Sequence, residues 1–217
     1  MTATPKTVRR FRNRPIDLLS DTDDAVDALI RHVRSAAGGF DTLSASSDPA
    51  RIGPLDLIAL QAVDAAVPAP SALWLLDDEG QWLTTEILSR IPGDADLWSC
   101  HPSVVLDLAD LYHLLRRVES QHGATDELGS KAMGRTPATW LLAAKRPRLV
   151  PANDGTLRKV LGYSKDDHWW RRWRLELDRE LVERARHLRR LAATTDNRVA
   201  ALSELRVLDI TLRGATT

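Results

Sequence analysis

The chain has 217 residues, enough for one large domain or two small lobes with an ample core. Its composition, 43% hydrophobic and 28% charged, is ordinary for a soluble globular protein. The formal net charge of zero hides a split, with 11 Lys and Arg against 20 Asp and Glu in residues 1–130 and 19 against 10 in residues 131–217. Such a polarised chain favours either a polyanion at its basic end or pairing of its two halves.

Cysteine usage and hydropathy exclude several classes of protein. The single cysteine, Cys100, excludes an internal disulfide framework, so we expect a cytoplasmic protein. Cys100 and His101 alone cannot hold zinc, which needs three or four ligands, and no metal site is expected. No apolar run approaches membrane-spanning length and the N-terminus lacks a signal-peptide pattern, so we expect no membrane partner. The oligomeric state stays open.

In chain order, the sequence starts with a basic tail over residues 1–20, expected to be flexible up to Pro15. Apolar spacing with caps and breakers then predicts helices over 20–39, 54–67, 71–76, 82–91, 103–120, 137–144, 153–161, 164–191 and 199–212. The Ser, Asp and Pro content of residues 41–52 predicts a loop, and residues 77–80 are predicted to form an acidic turn. The prediction is one all-α domain over 21–217, with an acidic helical lobe at about 21–125 and the basic hairpin and C-terminal helices at about 126–217.

The stretch from Leu128 to Gly162 carries the chemistry that we consider most informative. A Gly-bracketed turn (Gly129 to Gly134) leads into a helix, followed by a basic loop from Lys145 to Pro151 and by Asn153-Asp154 at the start of a further helix. Glycines allow a ligand to approach the backbone closely, and free N–H groups at a helix start attract phosphate. The pattern therefore predicts helix, loop, helix with phosphate binding at both joints.

The order of these pieces resembles the helix-hairpin-helix DNA glycosylase superfamily, in which a Gly-x-Gly hairpin enters a helix and a Pro-x-Asp segment opens the next. The corresponding residues here are 132–136 and 150–154, continuing into 156–160. Two departures are that Ala132 replaces the first hairpin glycine and that Asn153 adds a residue before the aspartate. The chain is also similar to an uncharacterised bacterial family with a motif like that of residues 145–151.

The resemblance implies two helical lobes flanking a cleft, and a role for each matching residue. The catalytic aspartate falls on Asp154, and the nucleophilic lysine of lyase-type members falls on Thr136, which implies a monofunctional enzyme. No cofactor is expected; in the resembled family hairpin carbonyls sometimes coordinate a monovalent cation, which would be the one exception here. DNA is the expected partner, through Lys131, Met133, Gly134, Arg135, Thr136, Lys145, Arg146, Arg148 and Arg158.

Excising a base requires that it leave the stack and enter a pocket, where aromatic rings hold it. The aromatic candidates are Trp98, Tyr112, Trp140 and Trp170. Ordinary core packing is the competing interpretation for such rings, and helix capping is the competing one for Asp154.

Three function classes follow. The first is a monofunctional glycosylase that removes a damaged or modified base, in repair or in defence against modified foreign DNA. The second is a DNA-binding protein that keeps the hairpin without catalysis. The third is an all-α protein-interaction module.

Overall fold

The computed structural model describes residues 11–19, 21–121 (backbone only for 117–121), 133–153, 155–163 and 169–214. These residues form twelve α-helices and one 3₁₀ turn, and no strand occurs among them, so the predicted all-α class is confirmed. The helices are α1 Pro15–Leu18, α2 Thr22–Arg34, α3 Ala36–Ser46, α4 Pro54–Gln61, α5 Ala69–Leu76, α6 Asp78–Arg90, α7 Pro102–Gln121, α8 Arg135–Lys145, α9 Gly155–Leu161, α10 Trp169–Glu176, α11 Arg179–Thr195 and α12 Glu204–Gly214, with the 3₁₀ turn at Asn197–Ala201.

The helices pack in two groups that share one core. In the first group, α2 packs against α11 and α12, and α12 also contacts α1 and α9. In the second group, α8 packs against α4 and α7, and α7 contacts α5 and α6. Helix α3 joins the groups, because it contacts α2, α4 and α8. The division therefore differs from the predicted boundary near residue 125, since α2 lies with the C-terminal helices.

The region after α2 is helical where a loop was expected. The sequence predicted a helix ending at Gly38-Gly39 and a loop over 41–52, but α3 runs through both glycines. Gly38 is needed for contact rather than for termination, because a Cβ there would lie 2.7 Å from the carbonyl oxygens of His32 and Val33. A glycine thus permits the close turn from α2 into α3.

The long helix predicted over 164–191 is two helices in the described part, α10 and α11. Asp178 lies between them and its side chain accepts a hydrogen bond from the backbone N–H of Leu181 at 2.9 Å. An aspartate in that position caps a new helix start, which apolar periodicity alone does not reveal.

The N-terminal segment is packed from residue 11 onward. Phe11 is 5% exposed and belongs to the core, and Pro15 opens α1. The expected flexibility up to Pro15 is therefore wrong for residues 11–14, while residues 1–10 lie outside the described part. The cause is an aromatic anchor, since Phe11 contacts Tyr163 and Trp173.

Candidate functional site

A buried segment, Val150 to Asn153, joins the loop after α8 to the start of α9. All four residues are buried. The indole Nε1 of Trp169 donates a hydrogen bond to the Pro151 carbonyl at 2.8 Å. This contact ties the segment, which lies between α8 and α9 and outside both helices, to the start of α10.

The Asn153 side chain is the most enclosed polar group of this segment. It is fully buried, and its Oδ1 accepts a hydrogen bond from the Tyr163 hydroxyl at 2.9 Å. Arg158 Nη1 donates to the Asn153 carbonyl at 3.3 Å. The amide Nδ2 of Asn153 has no hydrogen-bond partner among the described residues. Most buried polar atoms in proteins have a hydrogen-bond partner, so this unpaired donor distinguishes the segment from ordinary core.

Asp154, the predicted catalytic residue, lies outside the described residues, between Asn153 and Gly155. The two residues that follow it, Gly155 and Thr156, are exposed at the first turn of α9. A ligand therefore has access to the chain immediately after residue 154.

The start of α8 carries the described part of the predicted hairpin. Met133 is fully buried, while Gly134, Arg135 and Thr136 are partly exposed. Arg116 Nη1 donates to the Met133 carbonyl at 2.9 Å. The Met133 carbonyl thus already accepts one hydrogen bond, and the monovalent cation at the hairpin stays a prediction. Lys131 and Ala132 lie outside the described residues.

The prediction that Lys145 faces a phosphate has to be revised, because its side chain is buried. Its ammonium lies 2.6 Å from Asp56 Oδ2, and both side chains are 1% exposed. It also donates to Ser47 Oγ at 3.1 Å and to the Asp48 carbonyl at 2.8 Å. Burial lowers the pKa of Lys145, and the carboxylate of Asp56 opposes that fall. Each of the three ammonium hydrogens thus has an acceptor. Lys145, the last residue of α8, links the end of α3 to α4.

The prediction that Arg146 contacts phosphate is revised too, because its side chain is buried. It is 4% exposed, and its guanidinium donates to the carbonyls of Leu88 and Ile91 at 2.7 and 2.8 Å and to that of Pro49 at 2.8 Å. Leu88 and Ile91 lie at the end of α6, where carbonyls lack helical partners. Arg146 thus donates hydrogen bonds to buried carbonyls at the end of α6.

Arg148 and Arg158, which were also predicted to contact DNA, remain partly exposed to solvent. The side chain of Arg148 is 40% exposed and makes a bidentate contact with Asp96, with distances of 2.9 and 2.8 Å. Arg158 is partly exposed beside Asn153. Of these two, Arg158 lies on the helix that follows Asp154.

Three of the four predicted base-stacking rings belong to the core, so the core-packing interpretation holds for them. Tyr112 is 1% exposed and Trp170 is fully buried, and their ring centroids lie 5.7 Å apart in an edge-on arrangement. Trp140 is 3% exposed and packs edge-on against Phe40. Only Trp98 retains partial exposure. Trp170 and its neighbour Trp169 both pack edge-on against Tyr112.

Sequence analysis missed a buried charged cluster centred on Arg206. Arg206 lies 2.7 Å from Asp41 and 2.5 Å from Asp209, and Asp41 also lies 2.7 Å from His32. The guanidinium carbons of Arg206 and Arg213 are each 4.9 Å from the centroid of the Trp140 ring. Burial alone would raise the pKa of Asp41, but Arg206 and His32 outweigh it and lower the pKa to about 2. No sequence signal brings these residues together, because they come from three separate helices.

A cleft of about 740 Å³ lies beside this cluster. Its walls include Asp41 and Ser44 of α3, Arg148, and Arg198 and Ser203 near the 3₁₀ turn. Lys145 borders it, at the opposite end of α8 from the hairpin residues. An eleven-residue helix is about 16 Å long, so this cleft is separate from the predicted hairpin.

Within the described residues, no group of three or more His, Cys, Asp or Glu side chains could hold a metal ion. In the same residues, no helix is both long enough and apolar enough to cross a membrane.

The fold thus defines an all-α protein with a buried charged core and a helix-loop-helix segment over α8 and α9. The model of a family of unknown function, DUF6308, matches residues 16–215, and the chain belongs to this family. No curated protein and no solved structure matches the chain.

Proposed function

We propose that the protein is a monofunctional DNA glycosylase, with Asp154 as the catalytic carboxylate. The observation that carries the proposal is the buried segment before Asp154, which Trp169, Tyr163 and Arg158 hold at the start of an exposed helix turn. A catalytic carboxylate must keep a fixed position, and neighbours that are buried and hydrogen-bonded, as these are, hold it there.

The chemistry needs a carboxylate of this kind. Breaking the bond between base and deoxyribose develops positive charge on the sugar, much as glycoside hydrolysis does. An ionised carboxylate next to the sugar stabilises that charge and orients the attacking water. The start of a helix favours the ionised form. Because Thr136 stands where lyase-type enzymes carry a lysine, the base leaves by hydrolysis, without a covalent enzyme–DNA intermediate.

Partly exposed groups at the start of α8 support a DNA contact. Gly134 is the N-cap of that helix, Arg135 and Thr136 begin its first turn, and backbone N–H groups at a helix start donate hydrogen bonds to a phosphate. The proposal does not use Lys145 or Arg146 for phosphate, nor Tyr112, Trp140 or Trp170 for stacking, because these side chains are buried.

The test is a base-release assay with the wild type and Asp154→Asn. Both proteins are incubated with DNA that carries damaged and naturally hypermodified bases, and alkali then cleaves at abasic sites. We expect release of one class of base by the wild type and loss of release in the variant, with DNA binding retained. The removed base identifies the substrate.

Two results would replace the proposal. DNA binding without release of any base would favour a non-catalytic DNA-binding protein. Absence of DNA binding would favour the protein-interaction module. An Asp27→Asn variant makes the same substitution at an exposed position on α2 and provides the matched control, and we expect it to retain base release.

A further inference from the structure

The N-terminal segment is attached to the helix that follows Asp154 by an aromatic anchor. The Phe11 ring lies 5.0 Å from the Tyr163 ring and 5.5 Å from the Trp173 ring, between centroids. Only 5% of Phe11 is exposed. Burying a phenyl ring contributes about 2 kcal/mol, enough to hold a short segment in place.

Backbone hydrogen bonds continue this attachment along the end of α9. The N–H groups of Arg12 and Asn13 both donate to the Leu161 carbonyl, at 3.0 and 3.3 Å. Asn13 Nδ2 donates to the Val160 carbonyl at 2.5 Å. These carbonyls lie in the last turn of α9, where no helical N–H is left to bind them. Residues 11–14, which we call the arm, therefore cap α9.

The arm adds positive charge to a surface that is already basic. Arg12, Arg14 and Lys159 are exposed, and none of the three forms an ion pair with a described residue. Arg158 is partly exposed, and the guanidinium carbon of Arg172 lies 6.0 Å from the Tyr163 ring centroid. The arm surface is the set Arg12, Arg14, Arg158, Lys159 and Arg172.

The arm surface connects to the catalytic segment through a short chain of contacts. Phe11 packs on Tyr163, and Tyr163 donates its hydroxyl hydrogen to Asn153, the residue before Asp154. A ligand bound along the arm surface would thus lie one short helix, about 10 Å, from Gly155 at the start of α9.

We propose that the arm surface binds the sugar-phosphate backbone of DNA next to the base that is removed. This inference rests on the proposed DNA substrate. The surface offers several cations and no exposed aromatic ring, because Phe11 and Tyr163 are used in the anchor. Cations without a stacking surface bind phosphates irrespective of base sequence. The contact therefore positions the duplex and contributes affinity, while base recognition takes place elsewhere.

The experiment measures DNA affinity against salt concentration, with a short fluorescent duplex as probe. Each phosphate contact contributes about 1 to the slope of log K against log salt. We expect R12A/R14A to reduce the slope by about 2, equally for duplexes of different sequence. The matched control is R31A/R190A, which removes two exposed arginines from α2 and α11. We expect its slope to equal that of the wild type.

A second pair of variants tests the anchor separately from the charge. Phe11→Ala keeps both arginines but removes the ring that holds the arm, so we expect the slope to fall as in R12A/R14A. Phe11→Leu keeps most of the buried surface and should restore the slope. Thermal unfolding of each variant is measured as well, to test whether a smaller salt slope comes from unfolding of the protein.

The outcomes separate this inference from the proposed activity. An unchanged slope in R12A/R14A overturns the arm contact, and so does an equal loss in R31A/R190A, even if the wild type releases a base. A reduced slope in R12A/R14A alone supports the arm contact, even if no base is released and the glycosylase proposal fails.

Discussion

The Tyr163 hydroxyl lies 2.9 Å from Asn153 Oδ1, and both side chains are buried. The bond joins the residue two positions after α9 to the residue two positions before it, so that the two ends of the helix are linked. Position 153 is thereby fixed by a contact ten residues further along the chain. The same bond connects the N-terminal arm to this segment, because Phe11 packs on the Tyr163 ring.

Tyr163→Phe should remove this bond and leave the Asn153 amide without a good partner. A buried polar group left unpaired costs about 1–3 kcal/mol, which urea unfolding would measure. We also expect slower base release with DNA affinity nearly unchanged, because the segment before Asp154 loses a constraint while the charges stay. Tyr112→Phe is the matched control, since this buried tyrosine lies on α7. Equal rates of base release in the two variants would contradict the positioning role of Tyr163.

Lys145→Met should destabilise the protein strongly, because it leaves the Asp56 carboxylate buried without its cation. Breaking a buried ion pair from one side costs about 3–5 kcal/mol. We expect the double variant with Asp56→Leu to recover much of that loss, since no buried charge then remains. Unfolding free energies in denaturant test both expectations.

The same variants separate a structural role of Lys145 from phosphate binding. Lys159→Met removes an exposed lysine of α9 and should leave the unfolding free energy nearly unchanged. Lys145→Met could instead be as stable as Lys159→Met and bind DNA with a smaller salt slope than the wild type. That result would support the original prediction that Lys145 contacts phosphate.

Local patterns predicted the helices well, because their signals lie within a few residues. The stop at Gly162 is an example: that glycine has φ of +64°, as expected for a glycine that ends a helix. The helix predicted over 137–144 became Arg135–Lys145. Two boundaries were wrong: the glycines at 38 and 39 were taken as a helix stop although α3 runs through them, and apolar periodicity missed the new helix start at Asp178.

The candidate site was harder to predict, because its charges pair over long distances in the chain. Lys145 and Arg146 looked like a phosphate-binding loop, since no acid lies near them in sequence. Their partners are Asp56 and carbonyls at the end of α6, which only the tertiary structure brings close. Likewise, the cluster around Arg206 has no local signature. A basic stretch therefore predicts a polyanion contact only where tertiary contacts leave its charges exposed, as at the arm surface.

The cluster around Arg206 should make stability depend on pH in the acid range. The pKa of Asp41 is about 2 in the folded protein, against a reference value of 3.8. Because the folded value is the lower one, the carboxylate stabilises the fold above pH 3.8, and the contribution disappears as the pH falls through 2. The shift corresponds to about 2 kcal/mol.

Asp41→Asn tests this contribution through unfolding free energies measured from neutral to acidic pH. We expect the difference between wild type and variant to be constant near neutrality and to shrink by about 2 kcal/mol as Asp41 becomes protonated. Asp27→Asn removes an exposed carboxylate from α2 and controls for the change in net charge. A difference that does not vary with pH would mean that Asp41 is not held in its charged form by Arg206 and His32.

Gly162→Ala should release the arm, because this position combines a left-handed backbone with a close contact. A Cβ at residue 162 would lie 2.7 Å from the Cβ of Arg12, and φ is +64°. A left-handed conformation costs about 1–2 kcal/mol for a residue with a side chain, and the arm must also move away. We therefore expect lower stability and a smaller salt slope of DNA binding, as in Phe11→Ala. Gly93→Ala, in the loop after α6 and with nothing within 4 Å of its added Cβ, is the matched control and should change neither quantity. A normal salt slope in Gly162→Ala would mean that DNA binding does not need the arm on α9.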